Sequence, residues 1–162
     1  MKKTVFLIIC GIIFLITLTG CAVKTEGDSL QAFLNRLNSY NSEYNISPNG
    51  FIAQKDKSSL TRFFVFGKDE IMLTLVYDNN NAITQLHIVM PLNVQENVYQ
   101  FACNCIKAFC GESVSNNLIQ EIDLKNALKT VKMETYSTTS ENVTMEIDTH
   151  EVGTVLSIYK DK

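Results

Sequence analysis

The chain has 162 residues, 46% hydrophobic and 19% charged, with 14 Lys and Arg against 17 Asp and Glu for a net charge of −3. That length suits one ordinary domain with a core large enough to fold alone. The acidic balance repels phosphate backbones and anionic headgroups at a distance, which argues against a nucleic-acid partner and against a basic membrane-binding face.

The first element is a leader. Met1-Lys2-Lys3 precedes an apolar run from Val5 to Leu18, and Thr19-Gly20 closes it before Cys21. A basic start, a short apolar segment and a small-residue junction make a secretory signal peptide. Leu18-Thr19-Gly20-Cys21 resembles the lipobox of bacterial lipoproteins, and the resemblance covers only this leader. It implies that a peptidase recognises Leu18, Thr19 and Gly20, cuts before Cys21, and leaves a diacylglyceryl group on the Cys21 sulfur. The chain then divides into a signal peptide over 1–20, a lipidated Cys21 with a short connector over 21–27, and a single α+β extracytoplasmic domain over 28–162. The implied location is extracytoplasmic and lipid-anchored, at the cell membrane or at an outer membrane where one exists. The implied first partner is the lipid bilayer, reached through acylated Cys21. No cofactor beyond that covalent lipid is expected.

A rival reading of the leader stays open. Thr4 to Val23 carries no charge, long enough for an uncleaved helix to span a bilayer. The strictly apolar part, Val5 to Leu18, is shorter and fits a signal peptide better. Both readings keep Lys2 and Lys3 inside, so they share one topology. Without those two lysines the charge becomes about −5, so lipid has to supply the anchorage. Ala22 to Gly27 reaches at most about 20 Å, which holds the domain close to the membrane.

The domain opens with a helix. Asp28 is its expected cap, Gln31 stands in capping-box position, and Leu30, Phe33, Leu34 and Leu37 recur at helical spacing up to about Tyr40. Asn41 to Gly50 reads as a loop, with Pro48 and Asn49-Gly50 as turn signals. Strands are expected at Phe51–Gln54, Leu60–Phe66, Ile71–Tyr77 and Ile83–Met90, the last two joined by an Asp78-Asn79-Asn80-Asn81-Ala82 turn. Phe63, Phe64, Val65 and Phe66 make one strand apolar on both sides, which predicts cover on both sheet faces or a partner there.

Pro91 stops the sheet. A helix capped by Asn93, with Glu96 at the third position, is expected to bury Val98, Phe101, Ala102, Cys105, Ile106 and Phe109 and to end at Gly111. A second helical stretch from Ser115 carries Leu118, Ile119 and Ile122, with a break at Asp123 before Leu124, Ala127 and Leu128. Strands return at Val131–Ser137, Val143–Ile147 and Thr154–Tyr159. The fold class is therefore α+β, an antiparallel sheet of six or seven strands with about three helices. The order reads as two helix-plus-meander halves, an arrangement that resembles the β-lactamase-inhibitor-protein architecture. That likeness carries no motif and transfers no function.

Chemistry is sparse. After Cys10 and Cys21 are set aside, Cys103, Cys105 and Cys110 remain, too far apart or wrongly directed along one helix to pair. Cys105 falls on the apolar stripe. Glu146, Asp148 and His150 alternate along one strand and share its polar face, which makes them weak metal candidates beside the plainer reading of a solvated surface. His87 and Gln85 face away from Leu86 and Ile88. The Asp78 turn lacks the Gly and Glu of an EF-hand loop. Asn45-Ile46-Ser47 and Asn142-Val143-Thr144 match glycosylation sequons, which mean little in a bacterial lipoprotein. The chain has no G-x-S-x-G, H-E-x-x-H, C-x-x-C or phosphate-binding glycine loop, and only seven glycines and two histidines.

These features favour a non-enzymatic binding or accessory module at the cell envelope, with an envelope protein as partner and no assigned catalytic residue. The alternatives are an envelope enzyme centred on Cys110 or on the Glu146, Asp148, His150 face, and an inhibitor or exclusion-type lipoprotein.

Overall fold

The computed structural model describes residues 28–40, 44–55, 60–67, 69–129 and 133–160. These form four α-helices and one seven-stranded antiparallel sheet, an α+β fold. Helix α1 spans Asp28–Tyr40, and strands β1 (Ile52–Lys55), β2 (Leu60–Phe66), β3 (Ile71–Tyr77) and β4 (Ile83–Met90) follow. Helices α2 (Glu96–Cys110), α3 (Glu112–Glu121) and α4 (Leu124–Ala127) come next, then β5 (Thr135–Ser140), β6 (Val143–His150) and β7 (Gly153–Lys160).

The spatial strand order is β1-β2-β3-β4-β7-β6-β5. Each half is a meander of sequential hairpins, and the two meanders join through their last strands, β4 and β7. The joint is symmetric in register. His87 pairs with Ser157, and on either side Leu86 faces Ile158 while Ile88 faces Leu156. The expectation of two helix-plus-meander halves is thus realised in one continuous sheet.

All described helices pack on one sheet face. Leu73 and Leu75 of β3, Leu86 and Ile88 of β4, Leu156 and Ile158 of β7 and Met145 and Ile147 of β6 point that way and are fully buried. They meet Phe33, Leu34 and Leu37 of α1, Phe101, Cys105 and Ile106 of α2 and Leu118 of α3 in one core. A chain of rings ties β2 to the helix layer. Phe64 lies 4.7 Å from Phe66, Phe66 lies 5.2 Å from Phe101, and Tyr44 lies 4.9 Å from Phe101, all centroid to centroid. The Tyr44 hydroxyl donates to Asp69 and accepts from Asn97 Nδ2, each at 2.9 Å, which fixes the loop after α1. Gly50 is required there, because a Cβ would come within 2.2 Å of the Phe64 ring.

Several boundaries differ from the sequence expectation. Asn93 has φ 58°, a left-handed turn conformation, so it cannot start the helix; extended Gln95 takes the cap position and α2 begins at Glu96. Helix α3 begins at Glu112, directly after Gly111, rather than at Ser115. The expected break at Asp123 is present, again with a left-handed backbone, φ 48°. The strand expected at Val131–Ser137 runs from Thr135 to Ser140. It is an edge strand of Ser, Thr and Tyr, so it carries no apolar alternation to locate it. Of the two expectations for the sheet, cover on both faces or a partner on one, the described helices supply the first on one side only. No described helix is long and apolar enough to cross a membrane.

Candidate functional site

The face of the sheet away from the helices is the largest feature the core does not use. Antiparallel register puts residues that pair across strands on the same face. One transverse row on this face therefore runs Ile52, Phe63, Thr74, His87, Ser157, Glu146 and Ser137. Around it lie Val65, Met72, Val76, Val89 and Val155. Val65 and Ile52 are each 40% exposed, whereas Phe63 is only 7% exposed. The β1–β4 half of this face mixes Ile52, Phe63, Val65, Met72, Val76 and Val89 with Gln54, Thr61, Thr74, Gln85 and His87, and the β5–β6 half is made of Ser, Thr, Glu and Asp.

His87 sits at the boundary between these halves. Its Nδ1 lies 2.9 Å from Ser157 Oγ on the neighbouring strand, and its Nε2 lies 3.3 Å from Gln85 Oε1. The flanking strands half-bury the ring, and that burial holds its pKa below the usual 6.5, so it is neutral at physiological pH. Neutral imidazole beside a hydroxyl can accept or donate a proton. An acyl-transfer site also needs donors aimed at a developing oxyanion. The neighbouring backbone N–H groups of β4 and β7 belong to the sheet ladder, so the pair reads as a polar anchor at the centre of an apolar-to-polar face. Sequence reasoning placed His87 on this face but missed Ser157, which is 70 positions away and becomes a neighbour only once β4 and β7 pair.

The remaining candidates are dispersed. Glu146 and Asp148 are half-buried on β6, and His150 is exposed at its end; His150 Nε2 pairs with Asp148 Oδ2 at 3.0 Å. Among the described residues no three His, Cys, Asp or Glu side chains lie together as a group able to hold a metal. Asp78 behaves as a turn residue: its Oδ1 accepts from the N–H groups of Asn80 and Ala82, each at 2.9 Å.

Cys103, Cys105 and Cys110 are free thiols on α2, on the opposite side of the sheet from Glu146. Cys105 is fully buried, and desolvation pushes its pKa well up. Burial likewise raises Cys103, against a contact with Tyr99 that lowers it. It raises Cys110 to about 11 despite Lys160 nearby, and the Cys110 thiol donates to the Ile106 carbonyl at 3.1 Å. Only the thiolate is nucleophilic, so none of the three is poised for attack. Leu18, Thr19, Gly20 and Cys21 lie outside the described residues.

No family model, curated protein or solved structure matches the chain.

Proposed function

We propose that the chain is a bacterial lipoprotein, held at the cell envelope by lipid on Cys21, whose domain is a non-enzymatic binding or accessory module. It engages an envelope protein through the helix-free face of its sheet. The observation that carries this reading is the half-apolar composition of that face. Val65, Met72, Val76, Val89 and Val155 stand, interleaved with Thr61, Thr74 and Gln85, on the side that no described helix covers, where Phe63 is itself buried. An apolar surface rimmed by polar groups is the usual makeup of a protein contact. The lipobox-like leader and the short Ala22–Gly27 connector put that contact next to the membrane. Two or three acyl chains, at about 0.8 kcal/mol per buried CH₂, make such anchorage effectively permanent.

Two measurements test this. Fatty-acid labelling of cells expressing the wild type should mark the protein, and Cys21→Ala should abolish the label and release the protein from the membrane fraction. Unchanged labelling in that variant ends the lipoprotein reading. A photo-crosslinker at Val65 or Val89 should capture a discrete envelope protein, whereas one at exposed Val152 on the β6–β7 turn should not. Equal, diffuse capture from both positions ends the sheet-face reading. Ser157→Ala should leave capture intact, since the hydroxyl supplies no apolar contact.

A further inference from the structure

Arg62 is the only buried charged side chain among the described residues, at 3% exposure. It projects from β2 toward the helix layer, because it pairs with fully buried Leu75. Tyr77, 2% exposed, is its diagonal neighbour on the same face, since Tyr77 pairs with Leu60 two residues along. The guanidinium carbon stands 4.9 Å from the Tyr77 ring centroid. That stack serves the flat face of the guanidinium and leaves its edge. Arg62 Nε and Tyr77 Oη are both buried, and neither finds a partner in good hydrogen-bond geometry, although, against the burial that raises the Tyr77 pKa to about 12, the guanidinium lies close enough to the Tyr77 hydroxyl to lower it. The ion pairs among the described residues are Lys107–Glu112, Lys125–Glu96 and His150–Asp148, and none involves Arg62.

A fixed charge in this position is costly. Arginine cannot shed its proton as a buried lysine would, and a buried guanidinium without a counter-charge is strongly destabilising. A trapped water would satisfy hydrogen bonds and leave the charge uncompensated. A carboxylate satisfies both. It accepts only, carries one negative charge against one positive charge, and its two oxygens fit the planar N–H fork. The Tyr77 hydroxyl is a neutral donor beside that fork. The stack on the Tyr77 ring holds the guanidinium plane in advance, so little rotamer freedom is left to lose on binding.

We propose that Arg62 and Tyr77 form an internal receptor for one carboxylate group, supplied by a small monoanionic organic acid. The site lies on the helix side of the sheet and is independent of the proposed contact face. Selectivity for a monoanion follows from charge: a phosphate dianion would leave an excess negative charge in the same buried place.

The test is thermal melting of the full chain in detergent at pH 7 and fixed ionic strength, with sodium acetate replacing sodium chloride. The wild-type Tm should climb with acetate concentration as mass action requires. Arg62→Met should show no climb, and Tyr77→Phe should need roughly tenfold more acetate for the same shift, the loss of one hydrogen bond to a charged acceptor. A wild-type Tm identical in acetate and chloride overturns the proposal, as does a climb that persists in Arg62→Met. A larger climb in phosphate than in acetate overturns the carboxylate assignment. Should Arg62→Met fail to fold, the methyl proton linewidth of acetate gives a second readout. The wild type should broaden it, and Arg62→Lys and Tyr77→Phe should broaden it less; absence of broadening by the wild type sinks the site.

Discussion

The two faces of the sheet are made by the same seven strands and answer to different demands. On the helix side, one transverse row reads Leu75, Leu86, Ile158 and Met145, all at 0% exposure. One residue along each strand, the opposite row reads Thr74, His87, Ser157 and Glu146. Burial against helices admits only shape and volume, so the first row is uniformly aliphatic. The second row is free of that duty and places an imidazole, a hydroxyl and a carboxylate at the middle of the sheet. A one-residue step along a strand thus separates side chains that hold the fold from side chains free to make contacts.

The largest expected effect lies on the closed side. Phe101 is fully buried and packs on Tyr44 and Phe66 at 4.9 and 5.2 Å. Phe101→Ala should cost about 3–5 kcal/mol in urea unfolding. Val65 stands on the open side, 40% exposed, and Val65→Ala should cost less than about 1 kcal/mol. Equal costs for the two variants would mean that the second face is packed as tightly as the first, and would break the comparison.

The fold was largely legible in the sequence because its signals are local. The β-rich runs Leu60–Phe66, Ile71–Tyr77 and Ile83–Met90, the last two flanking the turn over 78–82, predict strands, and strands form at those residues. The breaks at Gly111 and Asp123 were equally local. The misses came where packing or backbone conformation overrides pattern. Asn93 has a good capping side chain but occupies a left-handed turn. The edge strand Thr135–Ser140 buries too little to show alternation. Phe63, Phe64, Val65 and Phe66 signalled two apolar faces, and the sequence had no means to show that only one would be roofed. The His87–Ser157 pair and the buried Arg62 were illegible for a different reason. Each exists through contacts between strands, and Arg62 in isolation reads as an ordinary surface cation.

The next effect sharpens the closed side. Cys110 has its pKa raised from 9.0 to about 11, chiefly by burial. That shift lowers its thiolate fraction at a given pH about a hundredfold. Alkylation of the native protein should therefore proceed at Cys110 far more slowly than in the urea-unfolded chain. Cys105, sealed at 0% exposure, should react only on unfolding. Rapid native labelling of Cys105 would show that the helix layer opens readily.

A smaller effect separates the faces by pH. Burial depresses the His87 pKa in the folded state below 6.5. The unfolded chain then binds the proton more readily, so stability rises with pH across that interval. The contribution is fully present above 6.5 and is lost as pH falls toward the folded-state pKa. His87→Gln should flatten the profile of stability against pH in that window. If a partner covers this face, it desolvates His87 further, so binding should weaken over the same range and His87→Gln should remove the dependence. A binding affinity that strengthens on acidification would show that the imidazole meets a carboxylate of the partner.

The smallest effect belongs at the outer end of β6. His150 and Asp148 touch at 3.0 Å with side chains 56% and 48% exposed. Water and salt screen a pair this open, and holding two side chains in one geometry costs entropy. His150→Ala should therefore change stability by less than about 0.5 kcal/mol. Added zinc should leave the melting temperature of wild type and variant alike, because two exposed groups at a strand end supply too few ligands to fix an ion. A zinc-dependent rise lost in His150→Ala would show that Glu146 swings into reach and that the polar half of the open face is a metal site. Its polar surface would then serve chemistry, and the division of labour between its apolar and polar halves would have to be redrawn.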